Sequence, residues 1–286
     1  MAVIPPYKQK AEPSPKLTVD TLAKLESLFV EKSWIIDKVR KTSLFDRFCS
    51  TLLKLSLDEQ VFLLDLTKRF IRIEAGEYVE HLETLAHQVR KDYPNSNLIF
   101  APCLPKCEIG KVKSAGVALY DLGCTPYLYQ LGKHCIERNN IAKIAPHIKD
   151  DAIILLVDDF VGTGETALGA VDYVHEVLGK DFPNDRIKVI SIVTQETGKN
   201  ALNGIGIDVY TKHVETKGIS DFYTGKDLEN AIALMKSIES KIKKLDDKFK
   251  FGYKQSEALV CMRKCPNNTF PIYWLGKDTA PYERLL

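Results

Sequence analysis

From residue 17 to about 93, apolar positions recur every three or four residues, the period of amphipathic helices. Leu22, Leu25, Leu28, Phe29, Trp34 and Ile36 mark a first helix over 20–39, with a break near Ser33. Leu44, Phe45, Phe48, Leu52 and Leu55 mark a second. Ser56-Leu-Asp-Glu59 reads as a capping box ahead of a third helix carrying Val61, Leu64 and Phe70. A fourth covers about 77–90, and no segment before Asn97 carries a strand period.

The pattern changes at Asn97. Leu98-Ile99-Phe100-Ala101 predicts a short strand closed by Pro102, then a loop with Pro105, Gly110 and lysines 106, 111 and 113. Ser114 opens a short helix to Leu122, and residues 127–131 predict another strand. Residues 132–150 form a polar connection with Lys133, His134, Arg138 and Lys143. Ile153-Ile-Leu-Leu-Val157 then predicts a strand buried on both faces. Asp158 and Asp159 stand at its end, a loop with Gly162 and Gly164 follows, and a helix begins at Thr166. Further strands are predicted at 187–194 and 207–213, with a short helix near 198–202 and a long charged helix over 226–248. Two strand-like runs, 258–262 and 270–274, flank Cys265-Pro-Asn-Asn-Thr269. This alternation predicts an α/β fold, a mostly parallel sheet flanked by helices. The expected division is a disordered arm at 1–16, rich in proline, an all-helical N-terminal extension at 17–95, an α/β core at 96–250, and a small C-terminal hood or extension at 251–286.

Composition narrows the function classes. With 45% apolar and 27% charged residues the chain reads as globular, and a net charge of +2 carries no signature of nucleic-acid binding. No apolar run approaches the roughly 18 residues that span a bilayer. The first residues lack a signal-peptide core, so the expected location is cytoplasmic, with no membrane partner. Seven cysteines without secretory context predict free thiols. The C-x3-C pairs 103/107 and 261/265 leave a zinc site open beside the buried-thiol reading.

The chemistry concentrates at 158–166. Carboxylates at a strand end, then a Gly/Thr loop opening a helix, suit a phosphorylated and hydroxylated ligand. Backbone N–H groups and the helix N-terminus attract the phosphate. The carboxylates accept hydrogen bonds from hydroxyls or hold a hydrated cation. Taken alone, the aspartates also suit a plain turn, the lysines a solvated loop, and Tyr273 and Trp274 either a hood or a core. A Walker loop is excluded because Gly-Lys-Ser/Thr is missing, and no Gly-x-Gly-x-x-Gly follows a strand.

Ile154-Leu-Leu-Val-Asp158-Asp159-Phe-Val-Gly-Thr163-Gly164-Glu165-Thr166 resembles the phosphoribosyl-pyrophosphate (PRPP) signature of type I phosphoribosyltransferases. The tail Ser256-Glu-Ala-Leu … Pro266-Asn-Asn-Thr-Phe-Pro-Ile-Tyr-Trp274 resembles the PRTase-CE proteins assigned to bacterial conflict and anti-phage systems. The resemblance implies a type I phosphoribosyltransferase-like fold and PRPP or a nucleotide as ligand. It also implies Mg as cofactor and a protein partner from a defence operon, with room for an oligomer. Asp158 and Asp159 would bond the ribose 2- and 3-hydroxyls and help hold Mg indirectly. Val161, Gly162, Thr163, Gly164, Glu165 and Thr166 would wrap the 5-phosphate. Lys106, Lys111, Lys113 and Ser114 would meet the pyrophosphate, and Lys133, His134 and Arg138 stand where the family has its lid. Lys113 and Arg138, with the two aspartates, form the candidate catalytic set. Three residues depart from the pattern. Gly162 replaces an aspartate that handles the base proton in several purine transferases, Glu165 puts a carboxylate in the phosphate loop, and Phe160 is bulky. Two functions follow: a phosphoribosyl transferase, or a catalytically inactive nucleotide-sensing or partner-docking subunit.

Overall fold

The structure, a computed structural model, describes residues 16–34, 43–126, 135–137, 139–276 and 280–282. The helical start follows its capping residues. Helix α1 (Val19–Glu31) begins where Thr18 Oγ1 accepts from Thr21 N at 3.0 Å, and Ser33, at φ +52°, lies just past its end. Helix α2 (Leu44–Leu52) has a capping box of Ser43 and Asp46, and α3 (Leu57–Lys68) the expected one of Ser56 and Glu59. Each box satisfies two otherwise orphaned N–H groups. Strand β1 (Ile71–Arg72) and α4 (Tyr78–Asp92) follow.

The main sheet contains β2 (Leu98–Pro102), β3 (Cys135–Glu137), β4 (Ile153–Val161), β5 (Ile187–Gln195) and β6 (Asp208–Glu215). Its order is β3-β2-β4-β5-β6, parallel throughout. Helices α5 (Ser114–Gly123), α6 (Glu165–Leu178), α7 (Glu196–Asn203) and α8 (Gly225–Ser240) complete the regular helices among the described residues. Alternating side chains of β2 and β4 serve opposite faces. Leu98, Phe100, Leu155 and Val157 pack with Leu82, Leu85 and Val89 of α4 and with Ala118, Leu119 and Leu122 of α5. Ile99, Ala101, Ile154 and Leu156 pack with Ala167, Ala170, Val171 and Val174 of α6. Such two-sided burial explains the uninterrupted apolar runs.

A third core joins α1–α3 and α8 to the tail, through Phe29, Phe48, Phe70, Met235, Ile238, Phe270, Tyr273, Trp274 and Tyr282. Phe70 and Tyr282 stack with centroids 5.1 Å apart. The tail also adds β7 (Val260–Cys261), which pairs in parallel with β1. No helix among the described residues is long and apolar enough to cross a membrane.

Several local expectations are corrected. The helical stretch before Asn97 contains β1, whose existence depends on the distant tail: Ile71 N donates to Leu259 O at 2.8 Å. A strand of two residues is too short to show a period. Residues 270–274 are a 3₁₀ turn rather than a strand, because Pro271 starts a tight turn closed by Trp274 N on Pro271 O. The charged helix of 226–248 stops at Ser240, and Lys244 beyond it takes φ +60°. The arm expected at 1–16 lies, but for Lys16, outside the described residues, as does the strand expected at 127–131.

Glu239, on α8, is buried and accepts from Phe251 N at 2.8 Å. Burial pushes its carboxyl up to about 7. A raised folded-state value means that its contribution is complete below the usual 4.5 and is lost as pH rises through about 7. Glu239→Gln keeps the acceptor and removes the titration. Urea unfolding should therefore show the variant losing less stability than the parent from pH 4.5 to 8, by about 2–3 kcal/mol.

Candidate functional site

The chain leaves β2 toward one edge of the sheet and β4 toward the other, so the carboxyl ends of these neighbours flank a topological switch point, where open α/β sheets bind ligands. A cavity of about 980 Å³ lies there. Asp158 and Asp159 line it and are each at least nine-tenths buried. Asp158 Oδ1 accepts from Ser114 Oγ at 3.0 Å and from Asp159 N at 2.8 Å. Asp159 Oδ2 accepts from the Tyr78 hydroxyl at 2.9 Å. Burial, and then Asp159 beside it, pushes the Asp158 carboxyl well above the usual carboxylate range. The two carboxyl groups also interact with each other through their side chains.

Tyr78, at the start of α4, is the supporting residue that the sequence did not reveal. Its hydroxyl also accepts from Arg263 N at 2.8 Å, and the Arg263 guanidinium lies 4.2 Å from its ring centroid. Arg263 in turn pairs with Asp121 at 2.6 Å. Helix α4 and the tail thus meet at the Tyr78 hydroxyl, which links the tail backbone to Asp159. Tyr78→Phe removes a donor from Asp159 and leaves the Arg263 N–H without its acceptor, and is expected to cost about 1–3 kcal/mol in urea unfolding.

The loop after β4 is shaped by backbone contacts. Gly164, at φ +87°, caps α6 in the left-handed region that glycine adopts without penalty. Gly198 of α7 presses on the loop from one side: a Cβ there would lie 2.3 Å from Gly162 O and 3.1 Å from Gly164 N. Asn268 presses from another, its Nδ2 being 2.4 Å from where a Cβ on Gly162 would stand. Val161, Gly162, Thr163, Gly164 and Thr166 all line the cavity. The first N–H groups of α6 have no intrahelical acceptor, and two threonine hydroxyls stand beside them.

Glu165 is half exposed, and its charge is engaged outside the loop. Lys254 pairs with it, the Tyr253 hydroxyl donates at 3.2 Å, and these contacts hold its carboxyl below the usual range. The expected cost to a bound phosphate is reduced by that pairing.

The cationic loop differs most from expectation. Lys113 lines the cavity but bonds Glu108 at 2.6 Å. Lys106 pairs with Glu176 of α6, away from the cavity lining. Ser114 serves Asp158 rather than standing free for an anion. Arg138, Lys133 and His134 lie outside the described residues. Tyr273 and Trp274 are buried in the third core. Lys248, Arg263 and Lys264 also line the cavity; Lys248 pairs with Asp246 at 3.0 Å and Arg263 with Asp121, while Lys264 stands in the tail. The expected C-terminal hood and the resemblance carried by Ser256–Trp274 point to the tail, but not to these residues.

The PRTase-CE family model matches residues 108–286, which takes in β4, the loop, α6 and the whole tail side of the cavity. The chain belongs to the PRTase-CE family. Comparison with curated proteins returned no match. Solved structures similar to it include a hypoxanthine-guanine-xanthine phosphoribosyltransferase, at 18% identity and TM-score 0.31 over 49% of this chain and 75% of that one. Orotate phosphoribosyltransferase from Aeropyrum pernix gives 15% and 0.31 over 49% and 72%. Helicobacter pylori xanthine-guanine-hypoxanthine phosphoribosyltransferase gives 16% and 0.30 over 56% and 97%. Superpositions at these TM-scores add no functional weight to the family match. This PRTase-CE chain has a parallel sheet flanked by helices, with helices α1–α4 ahead of it.

The donor set fits magnesium in a restricted way. Two adjacent carboxylates supply hard oxygens, and no described cluster of three or more His, Cys, Asp or Glu side chains could hold a metal. An ion here would take its remaining ligands from sugar, phosphate and water, as magnesium commonly does.

Proposed function

We propose that this PRTase-CE chain binds PRPP or a nucleoside 5-phosphate with magnesium at the β4–α6 site, and as an enzyme transfers phosphoribosyl to or from a nitrogenous base. One observation carries the reading: a buried carboxylate pair lines the same cavity as a Gly/Thr loop opening a helix. Asp158 and Asp159 orient the ribose diol. Thr163, Thr166 and the N-terminal N–H groups of α6 hold the 5-phosphate. Magnesium, when bound beside the aspartates, supplies charge neutralisation for a departing pyrophosphate. Lys264, which lines the cavity from the tail, adds to it.

Calorimetry with PRPP, nucleoside monophosphates and magnesium tests this. Binding is expected, weakened at least about tenfold, or ~1.4 kcal/mol, in Asp158→Ala/Asp159→Ala. No heat with any ligand would sink the proposal.

A binding module without transfer chemistry is the second reading, favoured by two features. Two of the three expected pyrophosphate lysines, Lys113 and Lys106, are held by Glu108 and Glu176, and Gly162 provides no base. Radiolabelled PRPP with each common base separates the two: pyrophosphate release dependent on Asp159 rules out the module. The family resemblance supports a role in bacterial anti-phage defence beside a protein partner. Plaque counts with the intact operon and with the aspartate variants test that role.

A further inference from the structure

The Asn268 side chain is the polar group of this cavity for which neither the fold nor the phosphate loop accounts. It is 8% exposed, it lines the cavity, and its Nδ2 has no hydrogen-bond partner. A buried donor left unpaired costs stability, so native structures rarely keep one without a purpose.

The surrounding chain holds this amide in place at the expense of its own freedom. Ser256 Oγ donates to Asn268 O at 2.9 Å, and Ala258 N to the same oxygen at 3.1 Å. Tyr253 N donates to Asn267 O at 2.8 Å, and Thr269 Oγ1 to Val260 O at 2.6 Å. Gly252, at φ +79°, must be glycine because a Cβ there would lie 2.0 Å from Asn268 O. The backbone on both sides of Asn268 is therefore fixed. Any side chain at Gly162 would also collide with the amide, so the loop has no side chain where Asn268 brings one. The amide makes no hydrogen bond to the loop in return.

We propose that Asn268 is a ligand-binding residue, whose Nδ2 donates a hydrogen bond to an acceptor atom of the phosphorylated ligand seated on Asp158, Asp159 and the 162–166 loop. The ligand's identity rests on the phosphoribosyl reading above; the presence of an unpaired buried donor on a residue of the cavity wall does not. The acceptor belongs either to the phosphoribosyl part, as a phosphate or sugar oxygen, or to the base, as a ring nitrogen or carbonyl.

The test compares wild type, Asn268→Ala and Asn268→Asp. Melting temperatures are read on the free proteins, and affinities for ribose 5-phosphate, PRPP with magnesium, and purine and pyrimidine nucleoside monophosphates by calorimetry. Free Asn268→Ala should melt at or above the wild-type temperature, because it loses an unpaired donor, and should bind at least about tenfold more weakly. Asn268→Asp keeps the shape, replaces the donor by an acceptor, and should lose at least as much. Equal weakening for ribose 5-phosphate and nucleotides assigns the acceptor to the phosphoribosyl part; weakening confined to nucleotides assigns it to the base. Wild-type affinities in Asn268→Ala would overturn the proposal, as would a free variant melting several degrees lower, which would make the amide a prop for the loop. A wild type that binds no probe sinks the phosphoribosyl reading instead, and the melting comparison still judges Asn268.

Discussion

Asp158→Asn is expected to raise the melting temperature of the free protein while removing most of its affinity for PRPP with magnesium. Asp158 is 6% exposed, with a second carboxylate next to it, and both burial and that neighbour push its carboxyl well above the ordinary range. Such a pair is costly in the free protein, because two like charges cannot both be ionised cheaply in a poorly solvated site. Asparagine retains the Oδ1 that accepts from Ser114 Oγ and Asp159 N, so the local geometry has no reason to change. What it removes is the charge. A gain on the order of 1 kcal/mol corresponds to about 2–4 °C for a chain of this size. The opposite holds for the ligand: a hydroxyl donor would meet an amide N–H₂ in place of a carboxylate oxygen. A loss of at least about 2 kcal/mol, some thirtyfold in affinity, is expected. Scanning calorimetry and titration calorimetry read the two effects separately. A lowered melting temperature would show that the carboxylate pair is already compensated within the chain.

Gly198→Ala should do the reverse, damaging stability and binding together. The added methyl would lie 2.3 Å from Gly162 O and 3.1 Å from Gly164 N, both backbone atoms of the loop between β4 and α6, with Val161 Cγ1 at 3.0 Å. No rotamer change relieves contact with backbone, so either α7 shifts on the sheet or the loop is pushed toward the cavity. Overpacking of this kind costs about 1–3 kcal/mol. The same displacement moves the N–H groups at the start of α6, so phosphate affinity should fall at least about tenfold. Gly116→Ala in α5 is the control, since nothing lies within 4 Å of its added methyl; it should be neutral or slightly stabilising, by roughly 0.5–1 kcal/mol. Urea unfolding and calorimetry of both variants check the pair, and a stable, fully binding Gly198→Ala would refute the close-packing account.

Much of the scaffold was legible because it is written in short-range chemistry. The capping box at Ser56, the two-sided burial of β4 and the turn at Gly164 each depend on residues within a few positions of one another. The same is true of the carboxylate pair and the threonines. Charge pairing was legible only in part: Lys106 and Lys113 stand out as cations in a loop, but nothing local says that Glu176 and Glu108 meet them.

The sequence by itself determined the parallel-sheet scaffold and the paired aspartates and Gly/Thr loop at the end of its central strand, since periodicity and motif spacing are properties of contiguous residues. The tertiary structure alone decided which groups surround that motif. Tyr78 reaches Asp159 across 81 positions, Gly198 closes on the loop from α7, and Asn268 arrives from the tail. Strand β1 exists only through β7, two residues against two, and 270–274 turns at Pro271 into the third core rather than extending. These contacts form when separate cores dock, and docking is governed by buried area and shape that no single stretch of chain contains.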